Sequence, residues 1–147
     1  MLGLVEYSCV KCVIALHKIL LSVTTPSTTP SSLINSDSSN HSRLTSLEYQ
    51  DANASWSPDG TKIVYVSRRN DNRDIYTMSS NGSNENRLTF HSSNDTMPSW
   101  LTSNDKIIWH SVRDESTWGE LYIMNSNGNS KTRLTNNNST ESYASFD

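Results

Sequence analysis

Three Arg-Leu-Thr triplets punctuate the chain, at Arg43-Leu44-Thr45, Arg87-Leu88-Thr89 and Arg133-Leu134-Thr135, spaced by 44 and 46 residues (87 − 43 and 133 − 87). Other residues keep the same register. Trp56 maps to Trp100 and then Phe146, Lys62-Ile63 to Lys106-Ile107, and Ser67 to Ser111. Beyond a two-residue insertion, Tyr76 maps to Tyr122, Met78 to Met124 and Gly82 to Gly128. A period of this length marks a row of stacked supersecondary units, because one such unit cannot bury its apolar face alone.

Within each unit every signal is for strand. Ile63-Val64-Tyr65-Val66 and Ile107-Ile108-Trp109 are short apolar runs rich in β-branched and aromatic residues, and Ile75-Tyr76 and Leu121-Tyr122-Ile123-Met124 form the next strand. Between them stand Pro58-Asp59-Gly60, Asn70-Asp71-Asn72, Asn81-Gly82 and Asn127-Gly128. Asn-Gly and Asp-Gly suit tight turns because both residues tolerate positive φ. The unit reads as four strands: one ending at the Trp, one after Lys-Ile, one around the Tyr, and one at Arg-Leu-Thr. Four strands in some 40–50 residues is the content of a propeller blade. The fold class expected is all-β: a partial β-propeller of four-stranded antiparallel blades, two complete and two partial, with a short N-terminal helical segment.

The motifs WSPDG, KIVYVS, a following Arg, Asp74-Ile75-Tyr76, a turn with Gly, and Arg-Leu-Thr resemble the TolB-type β-propeller repeat. The same repeat occurs in the N-terminal propellers of prolyl-oligopeptidase-like serine peptidases. The resemblance covers Leu33 to Asp147: the end of a blade at 33–45, a blade at 46–89, a blade at 90–135, and the start of a blade at 136–147. The residues that carry the repeat are Trp56, Pro58, Asp59, Gly60, Tyr76, Arg87, Trp100, Tyr122 and Arg133. The second unit replaces Ser-Pro-Asp-Gly with Leu-Thr-Ser-Asn-Asp. Because propellers of this type close with more blades than two, a fragment of a longer protein is expected, with self-association through unclosed blade faces.

Composition agrees with a strand-and-turn fold. Only 33% of the 147 residues are apolar, against about 45–50% in ordinary domains on a count that includes Gly, so the apolar residues must be concentrated in short buried strands. A net charge of −3, with Arg68-Arg69 as the only adjacent basic pair, argues against nucleic-acid binding, which needs a basic stripe. Met1 to Val23 has helical apolar spacing, but Glu6, Lys11, His17 and Lys18 interrupt it as a membrane span. It reads as a degenerate signal or anchor, a short amphipathic helix, or a start codon placed too far upstream. Thr24 to Ser32 follows as a Ser/Thr/Pro linker.

Candidate sites are few. Cys9 and Cys12 form a single CVKC, half a zinc site at best, with His17 as a third ligand lacking a fourth. Asp59-Gly60 suits a β-turn better than a ligand site. Arg69 with Asp74, and Arg113 with Glu120, are expected as cross-strand ion pairs, worth under about 1 kcal/mol each if exposed. The Asn70–Asp74 loop lacks the Gly and Glu of a calcium loop. Of His17, His41, His91 and His110, the last stands where the other copy has Val66, with neither an acid nor a nucleophile at supportive spacing, and no Gly-x-Ser-x-Gly elbow is present. The sequons at Asn40, Asn53, Asn81, Asn94, Asn137 and Asn138 arise easily in so Asn- and Ser-rich a chain. No cofactor, metal or catalytic residue is assigned, and no enzyme activity is expected. The resemblance implies a scaffold that binds a protein or peptide through loops at one end, in the periplasm or otherwise outside the cytoplasm. The competing implication is the propeller portion of a serine peptidase.

Overall fold

The computed structural model describes residues 9–15, 18–23, 31–35, 41–46, 48–69, 71–103, 105–114 and 119–136; up to residue 41 it describes the backbone only. Twelve strands form three antiparallel four-stranded sheets, each joined in chain order. The first contains β1 (Cys9–Ala15), β2 (Lys18–Val23), β3 (Ser31–Asn35) and β4 (His41–Arg43). The second contains β5 (Gln50–Trp56), β6 (Lys62–Arg69), β7 (Asn72–Ser79) and β8 (Asn86–Arg87). The third contains β9 (Asp95–Trp100), β10 (Lys106–Ser111), β11 (Glu120–Asn125) and β12 (Thr132–Arg133). The residues between 24 and 30, His17, and the blade start expected beyond Asn136 lie outside the described residues.

The helical reading of Met1 to Val23 is not met by its described residues, and residues 1–8, 16 and 17 lie outside them. Its described residues are the two strands β1 and β2, and Ser31-Ser32 of the expected linker open β3. A short apolar run fits either period, and Val10, Val13, Ile14 and Ile19 are β-branched. The register decides the matter. Lys18-Ile19 stands 44 residues before Lys62-Ile63, so this segment is another copy of the unit. Lys18 pairs with Asn35, Lys62 with Ser79 and Lys106 with Asn125; Arg43 pairs with Ser32, Arg87 with Tyr76 and Arg133 with Tyr122. The first strand of every sheet also bulges near one place, around Cys9/Cys12, Ala52/Ser55 and opposite Ile108/His110, with positive φ at Asn53 (51°) and Met97 (53°). A bulge adds local twist, which sheets stacked face to face require.

The sheets stack through chemically unlike faces. β5 lies against β1, β2 and β3, and β9 lies against β5, β6 and β7. The second sheet turns Trp56, Ile63, Tyr65, Tyr76 and Met78 toward the first, where Leu44 joins them. Its other face offers Val64, Val66, Ile75 and Leu88 to Trp100, Ile107, Trp109, Tyr122 and Met124 of the third. Large side chains thus meet smaller branched ones, which lets successive layers fill space without voids. Alternate residues of β6 enter different interfaces, so the run Ile63–Val66 is buried throughout instead of alternating with polar residues.

The Asn-Gly turns connect the repeat across sheets. Gly82 (φ +86°) and Gly128 (φ +87°) each pack on the leucine of the preceding Arg-Leu-Thr: a Cβ would stand 3.1 Å from the Leu44 carbonyl oxygen in one and 3.3 Å from Leu88 Cδ2 in the other. Gly128→Ala combines a left-handed backbone with this close approach, and a loss of about 1–3 kcal/mol is expected on urea titration; an unchanged midpoint would show that the turn relaxes away from Leu88. Among the described residues no helix is long and apolar enough to cross a membrane.

Candidate functional site

The repeat places its polar residues at one end of the sheets, where each fourth strand leads into the next sheet and each second strand turns into the third. The Arg-Leu-Thr triplet organises this end. Arg87 lies 2.7 Å from the buried Asp74 carboxylate, Leu88 enters the core, and Thr89 Oγ1 accepts the Ile75 amide at 2.9 Å while donating to Asp74 at 3.4 Å. The next sheet repeats the device with Glu120 for Asp74. Arg133 pairs with it at 2.7 Å, and Thr135 Oγ1 accepts the Leu121 amide at 2.9 Å and donates to the Glu120 carboxylate. The threonine thereby holds the fourth strand to the third beyond their two-residue ladder.

These contacts correct the expected ion pairs. Asp74 pairs with Arg87, not Arg69, and Glu120 with Arg133, not Arg113. Arg69 instead meets Glu85, with nitrogens 3.0 and 3.1 Å from its two oxygens, and Arg113 holds both oxygens of Asp95 at 2.8 Å. Asp74, Asp95 and Glu120 are buried while Arg87, Arg113 and Arg133 keep some exposure, so three of these pairs are half-buried. Burial pushes the Asp74 carboxyl above its ordinary value, and the Arg87 charge opposes that push. Sequence reasoning missed Asp51, Asp95 and Glu85. The first two were detectable, since Asp51 and Asp95 stand 44 residues apart in the repeat register.

Aromatic rings complete the end. Arg113 covers Tyr122 at 4.9 Å and Trp109 at 5.5 Å, and Trp109 Nε1 donates to Asp95 at 3.1 Å. Arg69 lies between Tyr49 and Tyr76, 4.5 and 4.6 Å from their ring centres. The loop after β8 is tied down by Asn72 Nδ2, which donates to the His91 carbonyl (2.7 Å), and by the Arg73 amide, which donates to Asn94 Oδ1 (3.0 Å). Phe90 projects from that loop, 70% exposed, with Arg87 4.7 Å from its ring centre.

The remaining repeat positions lie elsewhere. Trp56 and Trp100 are core residues, each 5% exposed. Ser57-Pro58-Asp59-Gly60 forms the opposite-end turn: Gly60 (φ 69°) donates to the Ser57 carbonyl at 2.8 Å, and Asp59 Oδ1 accepts from the Ser57 hydroxyl and from the amide and hydroxyl of Thr61. Those bonds hold the Asp59 carboxyl below its ordinary value, the Ser57 hydroxyl most of all. His91 accepts the Ser93 amide, and His110 meets Thr96, its ring occupying the space a side chain at Gly119 would need. No three His, Cys, Asp or Glu side chains converge on a metal-sized site among the described residues. The side chains of Cys9, Cys12 and His41 and all of His17, Asn70, Asn40, Asn137 and Asn138 lie outside those described.

Residues 33–147 match the family described as the tricorn protease N-terminal β-propeller domain. The chain belongs to that family. Among solved structures, a putative TolB from Agrobacterium tumefaciens superposes with a TM-score of 0.74 at 22% identity, over 81% of this chain and 45% of that one. The tricorn protease superposes with a TM-score of 0.65 at 11% identity, over 93% of this chain and 13% of its own. A puromycin hydrolase S511A mutant complexed with PGG gives 0.67 at 15% identity, over 86% of this chain and 23% of that chain. The chain therefore spans less than half the length of these proteins, and identities this low establish the fold alone. No curated protein matches the sequence. With the propeller family established, the second and third sheets, which lie within the matched residues, are its blades.

Proposed function

We propose that this tricorn-type, TolB-like propeller is a non-catalytic scaffold that binds a protein or peptide through the loops at its Arg-Leu-Thr end, outside the cytoplasm. The observation that carries this reading is how the charged groups are used. Arg87, Arg113 and Arg133 are each engaged by a buried carboxylate that joins strands, whereas Phe90, the most exposed large apolar side chain among the described residues, stands on an end loop anchored from β7. An anchored loop presenting one apolar group meets a partner at small conformational cost. The extracytoplasmic location follows from the TolB resemblance.

The test is selection of peptides from a random library against the chain, followed by calorimetric titration. Phe90→Ser is expected to weaken the selected peptide at least tenfold while leaving the unfolding midpoint unchanged. Equal affinity in the variant would remove the Arg-Leu-Thr end as the binding surface, and steady turnover of the peptide would overturn the non-catalytic reading. The second reading, a propeller portion of a prolyl-oligopeptidase-like serine peptidase, is supported by the tricorn protease family match and the puromycin hydrolase superposition. Coding sequence continuing past Asp147 into a Gly-x-Ser-x-Gly elbow would favour it.

A further inference from the structure

The second and third sheets are superposable in sequence, yet one buried carboxylate is paired and its counterpart is not. Asp95 pairs across the ladder with Ser111, as Asp51 pairs with Ser67. Arg113 Nε donates to Ser111 Oγ at 3.0 Å, as Arg69 Nε donates to Ser67 Oγ at 2.9 Å. From the same anchor the two guanidinium groups diverge. Arg113 turns inward onto both oxygens of Asp95, whereas Arg69 turns outward onto Glu85, which also accepts the Tyr65 hydroxyl at 2.6 Å. Asp51 is left 0% exposed with no cation on either oxygen, only the Ser67 and Thr45 hydroxyls beside it.

One position accounts for the divergence. Glu85 stands two residues before Arg87, and the residue two before Arg133 is Lys131. The third sheet thus offers Arg113 a like charge outside and a carboxylate inside, and the second offers Arg69 a carboxylate on each side. We propose that Arg69 is shared between Glu85 and Asp51, held outward while Asp51 is protonated and drawn inward when Asp51 loses its proton. The described groups facing Asp51 are the Ser67 hydroxyl and Arg69 from β6, the Thr45 hydroxyl from the segment after β4, the Tyr65 phenol, and Glu85 before β8. Burial pushes the Asp51 carboxyl above its ordinary value, against lowering by the Ser67 and Thr45 hydroxyls and the Arg69 charge. Burial also raises Glu85, but the hydrogen bonds from Arg69 and Tyr65 outweigh it and hold that carboxylate low. The inward move accompanies loss of the Asp51 proton. A carboxyl whose folded value is raised contributes its stability fully below the unfolded value and loses it as pH rises through the folded one. Swinging Arg69 onto the ionised Asp51 limits that loss and releases Glu85 from its arginine.

The experiment follows the side-chain carboxyl carbon of Asp51 by NMR through a pH titration of the whole chain. With Glu85→Gln, which removes the competing charge at constant shape, the Asp51 midpoint is expected to fall by about one pH unit or more, a tenfold change in proton affinity. The same substitution in an Arg69→Gln background should move it by less than half as much. An Asp51 midpoint unmoved by Glu85→Gln overturns the proposal. So does an undiminished shift in the Arg69→Gln background, because Glu85 would then act through its field alone. If Arg69→Gln does not fold, solvent exchange of the Arg69 Nη protons decides the point: slower exchange in Glu85→Gln supports the inward position, and unchanged exchange excludes it.

Discussion

Trp109→Ala is expected to destabilise the chain by roughly 3–5 kcal/mol, the range for truncating a large core aromatic. Trp109 is 0% exposed and lies in the layer between the second and third sheets, its ring centre 5.4 Å from that of Tyr122. Truncation would leave a cavity lined by Val64, Val66 and Ile75 on a facing sheet that is itself packed on its other side, so collapse cannot fill it. It would also remove the indole donor to Asp95. Trp109→Phe separates the two effects: it keeps most of the packing and should cost about 1–3 kcal/mol. Urea unfolding followed by far-ultraviolet circular dichroism measures both. A loss under about 1 kcal/mol for the alanine variant would mean that the third sheet does not pack on the second in solution.

Arg113→Ala is expected to cost a comparable amount, roughly 3–5 kcal/mol, for a different reason. Arg113 supplies both oxygens of Asp95 with a partner and covers two rings, and Asp95 has no exposure to water. Removing the guanidinium strands a buried carboxylate with one indole donor, and an unpaired interior charge is far more costly than a broken surface bridge. Asp95→Asn in the Arg113→Ala background should recover a large part of the loss, because the amide carries no charge to desolvate. If the double variant is no more stable than the single one, the penalty comes from lost packing over Trp109 and Tyr122. The comparison with Arg69 sharpens the point. That arginine, anchored identically, spends itself on a partly exposed glutamate, so its deletion should affect stability less than deletion of Arg113.

Much of the architecture was legible before any coordinates. Trp56 and Trp100 recur at one position of the unit and fall in the core, Asp59-Gly60 closes a turn, and Tyr76 and Tyr122 lie on the third strand of their sheets. Each is local, or follows from a residue recurring at one position of the unit. The N-terminal strands were not recognised, although Lys18-Ile19 carried the register, because a short apolar run satisfies helix and strand spacing alike. At the candidate site, sequence singled out Arg87, Arg133 and the loop beside Asn72, but it assigned the carboxylates to the wrong arginines and overlooked Phe90.

The amino-acid sequence by itself determined the four-strand unit, its period, its turns and the register that every sheet shares, since alternation and positive-φ residues act over a few neighbouring positions. Only the tertiary structure decided which arginine meets which carboxylate. Arg69 pairs with Asn72 across the hairpin, diagonal to Asp74, yet meets Glu85, and Arg113 reaches back to Asp95 on the first strand of its sheet. A long side chain chooses its partner by burial and by the charges around it, and both are set when the sheets stack.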